Sequence, residues 1–253
     1  PPRSTLFPYT TLFRSAYGKE SIPKVQKIGG PGNKWVAAAK QLVSNECAID
    51  NPAGPSEILL IADETTNPVW AAYDLLAQAE HGPDNVAVLL SESEEVNLRI
   101  LIALEELVKK SGRSSILEDN LNKYGLTIVA NSEKQILELI NLISTEHLHI
   151  QTKDPQKWLP LIKNAGAVFL GGYSPVPLGD YCAGTNHVLP TAGYARVYSG
   201  LSSFDFMKAM DVLDCNAAGL DELADILKPI AEFEGLTGHR DAVFARKQLN
   251  KES

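Results

Sequence analysis

EILLIADETTNPVWAAYDLLAQAEHGPDNVAVLL, residues 57–90, is the stretch on which the fold turns. EILLIA (57–62) is a short apolar run, too brief for a helix and consistent with a strand buried on both faces. Asn67 then offers an N-cap and Pro68 suits the first helical position. VWAAYDLLAQAEH follows as a helix until Gly82-Pro83 stops it. NVAVLL (85–90) is a second strand. Strand, helix and strand in about thirty residues make a βαβ crossover, which places the two strands parallel.

The alternation continues beyond it. Residues 93–110 carry apolar positions at helical spacing and end in Lys109-Lys110, which suits a helix C-terminus. LTIVA (126–130) is a strand, and SEKQILELINLIS (132–144) is a helix opened by a Ser-x-x-Gln capping box. LHIQT (148–152) reads as a strand, 155–164 as a short helix, and AVFLG (167–171) as another buried strand. Before the opening stretch, KVQKI (24–28) alternates as a strand does, GGPGN (29–33) is a turn, and KWVAAAKQLV (34–43) is a helix capped by Asn33. After Leu201 the strands cease. SSFDFMKAM (202–210) and LDELADILKPIAEFEGL (220–236) both read as helices. The expected fold is therefore α/β: an incomplete Rossmann-like, mainly parallel sheet with flanking helices, plus a small helical C-terminal domain.

Composition narrows the function. The chain has 253 residues, 44% hydrophobic and 21% charged, with a net charge of -8. A core can form, and with no Lys/Arg stripe to neutralise phosphates a nucleic-acid partner is not expected. Cys47, Cys182 and Cys215 are far apart and form no CxxC, as in a reducing cytoplasmic compartment. No apolar run reaches the ~20 residues of a membrane span. The first fifteen residues, PPRSTLFPYTTLFRS, repeat TLF and RS and resemble a translated adapter, so the reading sets them outside the fold.

Titratable residues gather in a few motifs. In QAEH, Gln78 and His81 are three apart at a helix end and share a face. Glu146 and His147 are neighbours, a carboxylate and an imidazole, the usual proton-transfer groups near neutral pH. On an extended chain they would point to opposite sides, and a surface Glu beside a capping His is the plainer reading. LGDYCAGTNHVLPT (178–191), with Asp180 and His187, is a turn-rich ordered loop. EGLTGH (234–239) places Glu234 and His239 after the last helix. GGPGN can cradle a phosphate at a helix N-terminus, although it matches neither GxGxxG nor the P-loop and serves equally as a tight turn. Singly, these features support an α/β enzyme with a possible metal and no more.

Together, GPGN, AGPSE, LLAQAEHGPD, TEHL, AGAVFLG, GDYCAGTNHVLPT and EGLTGH, in this order from Ala16 to Ala245, resemble the C-terminal part of histidinol dehydrogenases. The resemblance implies one zinc per subunit on Gln78, His81, Asp180 and His239, with no thiolate among the ligands. It implies proton transfer by His147 and water activation by Glu146 while L-histidinol is oxidised to L-histidine with two NAD. Substrate contacts fall on Ser56, His187 and Glu234, besides the zinc ligands and the Glu-His pair, and a NAD contact on Asn33. His149 matches no functional position and is left structural. A homodimer is implied, with Glu234 and His239 reaching the partner's site. The family's long N-terminal segment, which supplies part of the sheet and of the cofactor domain, has no counterpart here, so the isolated chain is expected to be inactive or poorly folded, with sticky strand edges. The expected division is a non-native segment at 1–15, the end of the NAD-binding domain at 16–56, the core domain at 57–201 and a dimerising helical domain at 202–253. The rival readings are a zinc hydrolase with Glu146 as base and a non-catalytic zinc-binding fragment.

Overall fold

The computed structural model describes residues 8–82 and 84–249; residues 1–7, Pro83 and 250–253 lie outside it, and with them the start of the expected foreign segment and the Pro83 helix stop. The described residues form two units, one reaching Phe206 and the other beginning at Met207.

In the first unit the elements run α1 (Pro8–Tyr17), β1 (Lys27–Ile28), α2 (Lys34–Val43), β2 (Ala48–Ile49), β3 (Glu57–Ala62), α3 (Pro68–Ala79), β4 (Val86–Ser91), α4 (Glu94–Lys110), α5 (Ser114–Tyr124), β5 (Gly125–Val129), α6 (Glu133–Ile143), β6 (His147–Gln151), β7 (Ala167–Leu170) and α7 (Val176–Tyr181). The main sheet has the order β5-β4-β3-β6-β7 and every pair in it is parallel. β3 lies at its centre, in register with β6 through Ile58↔His147 and Leu60↔His149. Side chains alternate across β3. Ile58 and Leu60 pack with Leu75, Ile100, Leu104 and Leu117 on one face. Leu59 and Ile61 pack with Ile136, Ile140, Leu148 and Trp158 on the other. That two-sided burial is why EILLIA shows no polar alternation.

Caps hold the helices as expected. Asn67 Oδ1 accepts from the Val69 and Trp70 amides, Asn33 Oδ1 from those of Trp35 and Val36, and Ser132 Oγ from that of Gln135. The Gln135 side chain turns back to accept from the Asn131 amide, one residue before the cap.

Several expectations change. Of 24–28 only Lys27–Ile28 is strand; it pairs in parallel with Ala48–Ile49, too short a stretch to show periodicity. Residues 155–161 form a 3₁₀ helix containing Pro160. The 202–210 helix is only a 3₁₀ turn, Ser203–Phe206, because Asp205 accepts from the Ser202 amide and pairs with Lys27. Phe204, Met207 and Met210 there stay exposed and bury no helix face. Residues 8–15, set outside the fold, enter it: Leu12 and Ala16 of α1 bury against Ala39, Val43 and Cys47. Helices α5 and α7 went unread. α5 has no side-chain cap at Arg113 and offers only Leu117 and Asn120 as buried positions.

The second unit contains α8 (Ala217–Phe233) and α9 (Thr237–Leu249), packed on each other. α9, mostly polar, was not foreseen. Among the described residues no helix is long and apolar enough to cross a membrane.

Candidate active site

Parallel α/β sheets usually bind ligands beyond the carboxyl ends of their strands, where the strand order reverses. A crevice of about 190 Å³ lies there, lined by Asp63, Glu92, Lys153 and Trp158 among others, and it holds none of the residues picked out from the sequence. Ser56, Glu146 and His147 instead lie at the amino ends. Ser56 precedes β3, Glu146 precedes β6 and His147 opens it, while Asn85 precedes β4.

The Glu-His pair is buried, Glu146 at 6% and His147 at 4% exposure, so the surface reading of it fails. The expected opposed directions fail too. Glu146 sits in a bend before the strand, and its Oε2 comes within 3.5 Å of His147 Nδ1. That oxygen accepts from Ser56 Oγ at 2.6 Å and from the Glu57 amide at 2.9 Å. Burial nevertheless dominates and pushes the Glu146 carboxyl up to about 8, with the charges of Glu57 and Asp180 adding to the rise.

His147 Nδ1 lies 3.1 Å from the Glu57 carbonyl oxygen, to which it donates when protonated there. In that tautomer Nε2 carries the free lone pair. Among the described residues Nε2 has no hydrogen-bond partner, and it stands 4.0 Å from Asp180 Oδ1. Burial lowers the His147 pKa to about 4, against the attraction of Asp180, and the field of His81 lowers it further. The ring is therefore a neutral base, held at Nδ1 and unengaged at Nε2 among the described residues.

Asp180 lies in the last turn of α7, half-buried. Gln78, in the last turn of α3, is 3% exposed, and its amide nitrogen has no partner. At a terminal amide the nitrogen and oxygen positions interchange by rotation, so the same buried site can present a carbonyl donor. His81 lies beyond the end of α3 rather than on its face; its amide bonds to the Gln78 carbonyl at 3.4 Å. Its ring is exposed in a cleft of about 450 Å³ that Asn33, Ser56 and Asn85 also line. Asn33, which lines the same cleft, spends its carbonyl oxygen on the α2 cap. His187 is exposed in its turn. Glu234 caps α8 and His239 opens α9, both exposed in the second unit. Among the described residues no three His, Cys, Asp or Glu side chains gather at metal-binding distance. The set proposed from sequence includes a glutamine and draws on both units.

Reading the sequence missed Glu57 and Asn85. The Glu57 carboxylate accepts from the Ala192 amide and its own amide holds Glu146. Asn85 Oδ1 accepts from the Ser56 amide at 3.0 Å and its Nδ2 donates to the Gly82 carbonyl at 3.1 Å. Both begin apolar strands and read as strand ends. The turn GGPGN is fixed by a buried ion pair. Asp50 accepts from the Gly30 amide at 2.7 Å, Lys40 donates to the Gly30 carbonyl at 3.0 Å, and Lys40 and Asp50 pair directly. Gly30 has φ +128, which a side chain would strain.

A parallel α/β sheet with a buried acid–base pair, its imidazole Nε2 unengaged beside other orphaned polar groups among the described residues, is the frame of an enzyme rather than of a structural module. The family model for histidinol dehydrogenase matches residues 12–247. The histidinol dehydrogenase of Aliivibrio fischeri is 50% identical over 234 residues, 91% of this chain and 53% of that protein. That of Methanosarcina barkeri is 46% identical over 235 residues, again 91% and 53%. The crystal structure of histidinol dehydrogenase from Elizabethkingia anophelis superposes with a TM-score of 0.89 at 41% identity, covering 95% of this chain and 56% of that one. The chain belongs to the histidinol dehydrogenase family, and it spans about half the length of these relatives.

Proposed function

We propose that this chain supplies much of the active site of a zinc- and NAD-dependent dehydrogenase that oxidises L-histidinol through L-histidinaldehyde to L-histidine, closing histidine biosynthesis. The observation that carries this reading is the neutral His147, its Nε2 free at 4.0 Å from Asp180 beside the protonatable Glu146.

The donors fit the metal. Gln78, with its orphaned buried amide, His81, Asp180 and His239 offer oxygen and imidazole nitrogen, a set suited to zinc without thiolate. Asn33 would meet the cofactor from the wall of the cleft. Bound zinc in that set would orient the imidazole and amine of the substrate, and bound NAD would supply the hydride acceptor for the two oxidations. His147 Nε2 accepts the hydroxyl proton in each oxidation, its ring held by the Glu57 carbonyl. Glu146, once in its carboxylate form and steadied there by Ser56 Oγ, takes a proton from the water that adds to the aldehyde and becomes the neutral acid. Ser56, His187 and Glu234 complete the substrate contacts. The net change is alcohol to carboxylate, with four electrons leaving and one water oxygen retained.

A homodimer in which Glu234 and His239 serve the partner's site is part of the proposal. Its support is an apolar groove of about 490 Å³ along the second unit, lined by Leu220, Leu223, Ile226, Ile230 and Leu236 together with Glu234 and His239. Cys47, Cys182 and Cys215 are all free, in keeping with a cytoplasmic setting.

The test uses a full-length protein carrying these residues. Two NADH should form per histidinol. His239→Asn should lower zinc content after dialysis against a weak chelator, while Glu146→Gln should keep its zinc and slow the second oxidation by about a hundredfold. Unchanged zinc in the first variant refutes the ligand assignment. Turnover without nicotinamide would favour the hydrolase, and zinc binding with no turnover the non-catalytic reading.

A further inference from the structure

A second crevice, of about 370 Å³, shares no lining residue with the active-site cleft. Its walls are Trp70 and Tyr73 of α3, Tyr173 and Pro175 of the segment after β7, and Leu178 of α7. The spacing along α3 brings Trp70, Tyr73 and Asp74 to one face. The Trp70 and Tyr173 rings stand 5.2 Å apart at 57°, and the indole rests on Gly172, where a Cβ would come within 3.0 Å of it. Both rings, with Tyr73, keep much of their faces in solvent.

Asp74 also lines this crevice, although it is only 7% exposed. One of its oxygens, Oδ2, accepts from Gln151 Nε2 at 2.6 Å and lies 3.4 Å from His149 Nδ1. No described residue donates to the other. No described lysine or arginine pairs with Asp74, and burial lowers the pKa of His149, which disfavours an imidazolium there. Burial raises the Asp74 pKa to about 6, so near neutral pH the carboxylate is mostly ionised in a setting that disfavours it. Buried aspartates are ordinarily paired. Among the described residues no lysine or arginine supplies a counter-charge, and Asp74 lines a crevice walled by aromatic rings.

We propose that this crevice binds a small organic cation, an alkylguanidinium or alkylammonium, its charge on Asp74 and its flank on the faces of Trp70, Tyr73 and Tyr173. Aromatic faces attract cations through their quadrupoles, and a desolvated carboxylate gives the directed contact. The volume lies in the range of small-molecule sites.

The probe is methylguanidinium chloride, titrated calorimetrically into the 253-residue chain at about pH 7.5, with methylurea as the neutral analogue of the same shape. Methylguanidinium should bind saturably, and methylurea about tenfold more weakly or not at all. Asp74→Asn, which keeps a side chain of the same size beside Gln151, should weaken the cation about tenfold, and Tyr173→Ala about threefold. Tyr173 is exposed, so its variant keeps the test decisive if Asp74→Asn does not fold. Equal affinity for the two probes, or a cation affinity untouched by either substitution, overturns the proposal. Binding of an arginine tripeptide without binding of methylguanidinium also overturns it, in favour of a protein partner. None of these outcomes bears on histidinol oxidation, so this inference and the proposed activity stand or fall separately.

Discussion

At the scale of single residues, burial rather than sequence position sets the chemistry. Glu146 keeps its proton up to about pH 8 in the folded chain but loses it near the ordinary 4.5 when unfolded. Between those values the folded state holds more protons, so this group's contribution to stability is full below pH 4.5 and is lost as pH rises toward 8. In metal-free protein, thermal melts from acid to mildly alkaline pH should show a fall in Tm that is shallower in Glu146→Gln; equal slopes would contradict the burial argument. Asp50→Ala leaves Lys40, 1% exposed, without its counter-charge. That loss should cost about 3–5 kcal/mol in urea denaturation. What the sequence disclosed here was residue type and order. TEHL announced an acid and an imidazole, but an extended chain would have separated them. Only the bend before β6 brings Glu146 Oε2 to 3.5 Å from His147. The supporting carbonyl and amide of Glu57 carry no side-chain signal at all.

At the scale of elements, long apolar runs and capped helices were legible, because burial on both faces of β3 and the Asn67-Pro68 start each leave a local mark. Elements fixed by distant partners were not. The two-residue β1 exists only through its pairing with Ala48–Ile49, and 202–206 is held in a turn by Asp205 and Lys27. The loop before β7 is a comparable case with a consequence for the site. The Gly166 amide donates to the Thr145 carbonyl at 2.9 Å, and a Cβ at Gly166 would stand 2.7 Å from the Glu146 carbonyl oxygen. Gly166→Ala must push the two segments apart. It should destabilise the chain by about 1–3 kcal/mol in urea denaturation, and in a full-length enzyme it should lower kcat by displacing Glu146.

At the scale of the whole molecule, two of the apolar surfaces that the described chain leaves open bear on assembly. Leu126 and Val129 of the edge strand β5 are about half exposed, and the groove of the second unit is lined almost wholly by aliphatic side chains. Leu223→Glu, at a half-exposed groove position, should shift the protein from dimer toward monomer in sedimentation velocity; an unchanged distribution would place the self-association elsewhere. Under the proposed homodimer a solvent-facing groove of this kind would belong to the assembly, and no reading of one chain's periodicity distinguishes it from an ordinary amphipathic helix. The placement of Ser56, Glu146 and His147 where strands begin has its own consequence. Under the proposed mechanism the turns at the opposite rim, after Ala62, Ser91 and Gln151, take no part in proton transfer. Lengthening them, or splicing a tag or a sensor module there, should leave the proposed chemistry at the far end of the sheet undisturbed.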